Sequence, residues 1–135
     1  MQWDDSVNLG FSSGNASDLY LPVDSAEDAP TVAAQEKDPA SLLNTVRAIL
    51  ALRHQEEDLQ ADADFKVVCS ESGKPFVYMR GGLLCAVNPS GTEQSVALPA
   101  DVAEKLSSSV LFELGRISLE QGVLTVGAQS FAVMK

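Results

Sequence analysis

The chain has 135 residues, 45% of them apolar and 21% charged, with a net charge of −10. That is enough for one domain with a core, and it excludes a disordered chain. It also argues against nucleic acid or an anionic membrane as partner, because both require clustered Lys and Arg. No apolar run approaches the ~18 residues that would span a bilayer. The first residues, Met1-Gln2-Trp3-Asp4-Asp5, lack the basic start and apolar stretch of a signal peptide. With only two cysteines, a disulfide framework is not expected, and a reduced, cytoplasmic protein is the simplest expectation.

The charge is uneven. Residues 1–64 hold 13 acids and 3 bases, whereas residues 65–135 hold 6 of each. The hydrophobic pattern changes at the same place, so a boundary is expected near Asp64.

Residues 1–37 show no sustained periodicity. Asp, Ser, Asn, Gly and Pro dominate, with Trp3, Phe11, Leu19, Tyr20 and Leu21 scattered among them. A loop of this length is unusual in a compact domain and points to a functional loop or to one missing its support. Asp4, Asp5, Asp24 and Asp28 raise the question of calcium. The EF-hand spacing, with its central Gly and final Glu, is absent. An ordinary acidic loop is the reading kept, with no metal site.

Residues 38–55 carry the pattern of one amphipathic helix. Asp38 suits the N-cap and Pro39 the first helical position. Leu42, Leu43, Val46, Ile49, Leu50 and Arg53 recur at spacings of three and four. Glu56, Glu57 and Asp58 follow, where the helix dipole disfavours anions, so the helix should end near His54 or Gln55. These three acids are expected to form a solvated cluster.

From residue 65 onward the pattern is short strands and turns. Strands are expected over 65–71, 76–80, 83–87, 93–98, 108–114, 117–119, 123–126 and 130–134. Ser72-Gly73-Lys74-Pro75, Gly81-Gly82 and Asn88-Pro89-Ser90-Gly91 supply turns between them. The fold class is therefore mainly β: an antiparallel, Greek-key type sandwich preceded by one helix and a long N-terminal loop. Phe65, Phe76, Tyr78, Phe112 and Phe131 fit core positions of these strands. No internal repeat is visible.

Motifs for chemistry are missing. His54 is the only histidine, and at a helix C-terminus its plain role is a cation near the last carbonyls. Cys69 and Cys85 lie in strand patterns and read as buried thiols. There is no C-x-x-C, H-E-x-x-H, P-loop, dinucleotide fingerprint or G-x-S-x-G elbow.

The opening block is more specific. Met1-Gln2-Trp3-Asp4-Asp5-Ser6, followed by Asn8-Leu9-Gly10-Phe11-Ser12-Ser13-Gly14, resembles a signature loop of the α-amylase clan of glycoside hydrolases. The similarity is to the α-glucosidase and oligo-1,6-glucosidase branch, which carries Arg-Thr-Pro-Met-Gln-Trp-Asp and then Gly-Phe with a small-residue pair. Leu21-Pro22-Val23, Asp38-Pro39-Ala40-Ser41-Leu42-Leu43, Ala51-Leu52-Arg53 and the tail Phe131-Ala132-Val133-Met134 follow in the family's order.

The resemblance implies a TIM barrel followed by an antiparallel β domain. On it, residues 1–37 match the last barrel βα loop, residues 38–55 the last barrel helix, and residues 65–135 the C-terminal β-sandwich domain. Gln2 and Trp3 match a loop beside the substrate cleft. The strands carrying the family's Asp nucleophile, Glu acid/base and second Asp have no counterpart here. The resemblance thus implies a non-catalytic C-terminal fragment of an α-glucosidase-type enzyme, with no cofactor and no catalytic residue of its own. An independent sugar-binding or protein-interaction module is the alternative. The missing barrel domain would leave the stripe Leu42, Val46, Ile49 and Leu50 without its partner, and a homodimer through that stripe is expected.

Overall fold

The computed structural model describes residues 2–107 and 109–135, so Ser108, the expected first residue of one strand, lies outside the described residues. Two compact units divide the chain, residues 1–50 and residues 51–135, and the long helix runs across the division.

In the first unit, residues 2–37 are more structured than their sequence implies. Two single 3₁₀ turns, Val7–Gly10 and Ala16–Asp18, precede helix α1, Val32–Lys37. Helix α2 spans Leu42–Gln55, ending where expected but starting later. Asp38 does not cap it. The Asp38 carbonyl and carboxylate are engaged in the turn between the helices, with Oδ1 accepting from the Ala40 N–H at 2.9 Å. Ser41 takes the capping role, its buried hydroxyl accepting from the Asn44 N–H at 3.3 Å. The Gln35 Oε1 accepts from the Leu43 N–H at 3.1 Å. The Gln35 carbonyl accepts from the Ser41 hydroxyl at 2.7 Å and from Asn44 Nδ2 at 2.9 Å. Side chains from each helix thus satisfy the orphan groups of the other. On the α2 surface Leu42, Val46 and Leu50 are exposed, Leu42 at 74%, while Ile49 is half-buried.

The second unit is a pair of antiparallel sheets. Strands β1 (Phe65–Cys69), β2 (Phe76–Arg80), β3 (Leu83–Asn88), β4 (Gln94–Ala97), β5 (Val110–Leu114), β6 (Ile117–Glu120), β7 (Val123–Val126) and β8 (Ser130–Met134) form it, with a four-residue helix α3 (Ala100–Ala103) that the sequence pattern did not announce. The larger sheet has the order β1-β2-β3-β8-β5 and the smaller β4-β7-β6. The chain switches sheets after β3, β4, β5 and β7. β1 is shorter than expected, with a bulge between Val67 and Cys69.

Alternation sets which side chains meet between the sheets. Val77, Leu84, Ala86 and Met134 from the larger sheet pack with Leu124 and Val126 from the smaller, and Val102 of α3 joins them. Asn88 pins one end. Its buried Nδ2 reaches the carbonyls of Thr92, Val126 and Gly127 at 2.8, 3.0 and 2.7 Å. Its Oδ1 accepts from the Ser90 N–H and hydroxyl.

The outer face of the larger sheet is also apolar. Leu83, Cys85 and Val133 are buried there under Leu52 of α2 and Leu59, with Tyr78, Phe112 and Phe131 beside them. Glu56, Glu57 and Asp58 are not the solvated cluster expected. Asp58 is half-buried, and its Oδ2 accepts from the Gly82 N–H at 3.0 Å. Gly81 has φ +52°, and a Cβ there would lie 2.1 Å from Asp58 Oδ1. The β2–β3 turn needs glycine because the carboxylate occupies that space.

Phe65 and Phe76 depart from the core positions assigned to them. Phe65 is 55% and Phe76 38% exposed. With Tyr78 between them they form a row, with centroids 5.3 and 5.2 Å apart and rings tilted by 40° and 35°. The row lies on the outer face, at the β1 edge.

Candidate functional site

The site is built on the loop of the first unit. Its origin is a left-handed turn: Asn8, Leu9 and Gly10 have φ of 53°, 54° and 69°. A leucine rarely adopts that backbone, so the turn is held by its surroundings. The Leu9 carbonyl accepts from the Trp3 N–H at 2.8 Å. Asn8 Nδ2 donates to the carbonyls of Ser12 at 3.0 Å and Gly14 at 2.8 Å. A Cβ on Gly10 would lie 2.8 Å from Asp4 Oδ1 and 3.0 Å from the Trp3 Cβ, so Gly10 and the Asp4 carboxylate are a matched pair. Asp4 Oδ1 also accepts from the Ser6 hydroxyl and N–H. Those two bonds hold its carboxyl below the usual aspartate range.

Gln2 and Trp3 are positioned by their backbone. The Gln2 carbonyl accepts from the Val32 N–H at 3.1 Å and the Trp3 carbonyl from the Ala33 N–H at 2.9 Å. The Thr31 hydroxyl accepts from the Ala34 N–H at 3.2 Å. Three of the four orphan donors at the start of α1 are thereby satisfied. Gln2 Nε2 also donates to the Asp24 carbonyl at 3.3 Å.

A concavity of about 460 Å³ opens against this frame, lined by residues 20–24 with Gln2 and Phe11. The Tyr20 side chain is 98% exposed. Gln2 thus lines the concavity. Trp3, its sequence neighbour, is half-exposed and does not. The sequence reading placed Phe11 in the signature block, Tyr20 among scattered apolar residues and Asp24 among the acids of an ordinary loop, without joining them. Their shared place depends on the left-handed turn and on α1.

Other candidates are separate. Among the described residues, no three His, Cys, Asp or Glu side chains converge on a point that could hold a metal ion. His54 sits exposed on the last turn of α2. Cys69 and Cys85 are both buried. Burial raises the Cys85 thiol, and burial with the facing Cys85 pushes the Tyr78 phenol up to about 12. Neither is an activated nucleophile.

No family model matches the chain. It is 33% identical over 99 residues to a probable oligo-1,6-glucosidase 2 of Bacillus subtilis (strain 168), covering 71% of this chain and 17% of that protein. It is 31% identical over 113 residues to an alpha-glucosidase of Apis mellifera, covering 78% and 19%. With an oligo-1,6-glucosidase of Heyndrickxia coagulans it shares 30% identity over 105 residues, covering 75% and 18%. The chain therefore spans less than a fifth of the length of these curated relatives. Its fold matches part of the trehalulose synthase MutB from Pseudomonas mesoacidophila MX-45, with a TM-score of 0.80 over 99% of this chain and 24% of that one, at 22% identity.

Proposed function

We propose that this chain, which is homologous to one segment of the oligo-1,6-glucosidases and α-glucosidases, is a non-catalytic part of an α-glucosidase-type glycoside hydrolase, and that its β unit docks on and stabilises the catalytic domain. The observation that carries this reading is the outer face of the five-stranded sheet. An antiparallel sheet facing water on one side alternates apolar and polar residues. Here Phe65, Val67 and Phe76 stay half-exposed on that side, at the β1–β2 edge. An apolar patch of this kind marks an interaction surface. Burying the remainder of each side chain is worth on the order of 1 kcal/mol.

The chemistry agrees with a partner that supplies the reacting groups. Retaining hydrolysis uses two carboxyl groups ~5–5.5 Å apart across the scissile bond. The loop concavity has one, Asp24. Asp4 is held by Ser6 and Asp58 by Gly82. In this reading Gln2 and Trp3 border the cleft of the longer protein, whose barrel carries the carboxylates.

The test is an assay of the purified 135-residue chain with maltose, isomaltose and an aryl α-glucoside. No turnover is expected from the chain, and hydrolysis from the longer protein. Turnover by the chain alone would contradict the proposal.

A second reading, an independent sugar-binding module, is favoured by the Phe65–Tyr78–Phe76 row. Calorimetric titration with maltooligosaccharides separates the two, since only the second predicts heat that disappears in the Phe65→Ala variant. In isolation the exposed Leu42, Val46 and Leu50 are also proposed to pair with a second copy, which light scattering reads as a dimer.

A further inference from the structure

We infer that the loop concavity takes the pyranose ring of an α-glucoside, with Tyr20 and Phe11 as its apolar walls and Asp24 as its hydroxyl acceptor. The inference rests on the proposed function for the class of sugar. It goes beyond it by moving the contact from Trp3 to Phe11 of the signature block and to Tyr20 and Asp24, which that block does not contain.

Three observations combine. The concavity, about 460 Å³, has the size of small-ligand sites and mixes apolar walls with a few polar groups. A pyranose has the matching chemistry: an apolar face of C–H groups that packs on aromatic rings, and a rim of hydroxyls that donate to a carboxylate. Tyr20 is almost wholly exposed, so its ring is free to pack against a ligand. On the polar side, Asp24 Oδ1 accepts from the Ala26 N–H at 3.0 Å. That bond orients the carboxylate, and among the described residues no donor bonds its Oδ2. The Gln2 amide is fixed beside it by the 3.3 Å bond to the Asp24 carbonyl.

Trp3 has a different task. Its N–H bonds Leu9 and its carbonyl caps α1, so it ties the left-handed turn to the helix. It is a positioning residue.

The experiment is an isomaltose titration of the 135-residue chain, followed by amide chemical shifts. Saturable shifts are expected in residues 2, 11 and 20–24, with β7 unmoved. Tyr20→Ala and Asp24→Asn should each weaken binding about tenfold. Ser118→Ala, on the three-stranded sheet, should change it by no more than about twofold. An absence of saturable shifts, or shifts that survive both Tyr20→Ala and Asp24→Asn, would overturn the inference. Hydrolysis by the longer protein is scored separately. Hydrolysis with no shifts in the chain removes this site and leaves the function. Shifts at these residues with no hydrolysis keep the site and remove the function.

Discussion

The two outer faces of the β unit are built on opposite rules. On the three-stranded sheet, the outward positions are Ser95, Thr125, Ser118 and Glu120, with Ala97 and Val123 at one end, in register across β4, β7 and β6. Ser95 and Thr125 exchange a hydroxyl bond of 2.9 Å. On the five-stranded sheet the same positions are Phe65, Val67, Phe76, Tyr78, Leu83, Cys85 and Val87 in β1–β3, with Arg80 the charged exception, continued by Phe131 and Val133 in β8. The inner faces of both sheets are equally apolar and make one core. The difference therefore lies outside the core. One outer face is mostly polar and the other mostly apolar.

Part of the apolar face is already covered within the chain. Leu52 and Leu59 lie over Leu83, Cys85 and Val133. The strap between them is fastened by Asp58 to Gly82, and by Arg80 to the Gln60 carbonyl. The cover stops short of Phe65, Val67 and Phe76.

The largest effect is expected from removing that cover. A polypeptide of residues 65–135 should lose about 3–5 kcal/mol relative to residues 51–135, since it uncovers a buried apolar cluster and strips the turn of Asp58. Denaturant midpoints of the two polypeptides measure this, and equal midpoints would remove the strap from the account. Next comes Asn88→Ala, which removes the amide that bridges the carbonyls of Thr92, Val126 and Gly127 at one end of the sandwich. It should cost about 2–3 kcal/mol, read by thermal unfolding.

The faces themselves respond in opposite directions. Phe65→Ser with Phe76→Ser should cost the chain alone about 1–2 kcal/mol, since each ring is partly buried and packs on Tyr78. In the longer protein the same pair should lower the melting temperature, whereas Ser95→Ala with Thr125→Ala should not. Equal effects of the two pairs in the longer protein would erase the contrast between the faces.

The smallest effect concerns pH. The Tyr78 phenol is pushed up to about 12 by burial, from an ordinary 10.0. The folded state therefore keeps its proton when the unfolded chain has lost it. The stabilisation is complete below the unfolded value and is lost as pH rises through that window. Ultraviolet titration of the Tyr20→Phe variant reads Tyr78 alone, and ionisation at the ordinary value would mean that the sheet face around it is open to water.

Much of this was legible in the sequence. The strands follow from β-rich runs separated by Gly and Pro turns, because both signals are local. So does the end of α2 near Gln55. The face contrast was not legible. Alternation separates two sides of a strand but does not say which side meets the second sheet, so Phe65 and Phe76 read as core. α1 was missed because its six residues are too few to show a period, and because its first N–H groups bond Gln2 and Trp3, some thirty positions away. Asp58 was read as solvated because its partner, the Gly82 N–H, lies 24 residues downstream. The concavity depends on Asn8 and Leu9 at positive φ, a conformation that their residue types do not announce. The family resemblance placed Gln2 and Trp3 together on one loop; in the structure the backbones of both brace that loop against α1, and Gln2 also lines the concavity.

The most direct test of the docking face is thiol labelling of paired cysteine variants, Val67→Cys on the five-stranded sheet and Thr125→Cys on the three-stranded sheet. The native Cys69 and Cys85 are buried and contribute little background. In the 135-residue chain both introduced thiols should react. On the proposed docking to a catalytic domain, only the thiol at position 125 should react in a longer protein that contains both. Equal reactivity of the two thiols in the longer protein would contradict the proposal that this sheet docks on the catalytic domain.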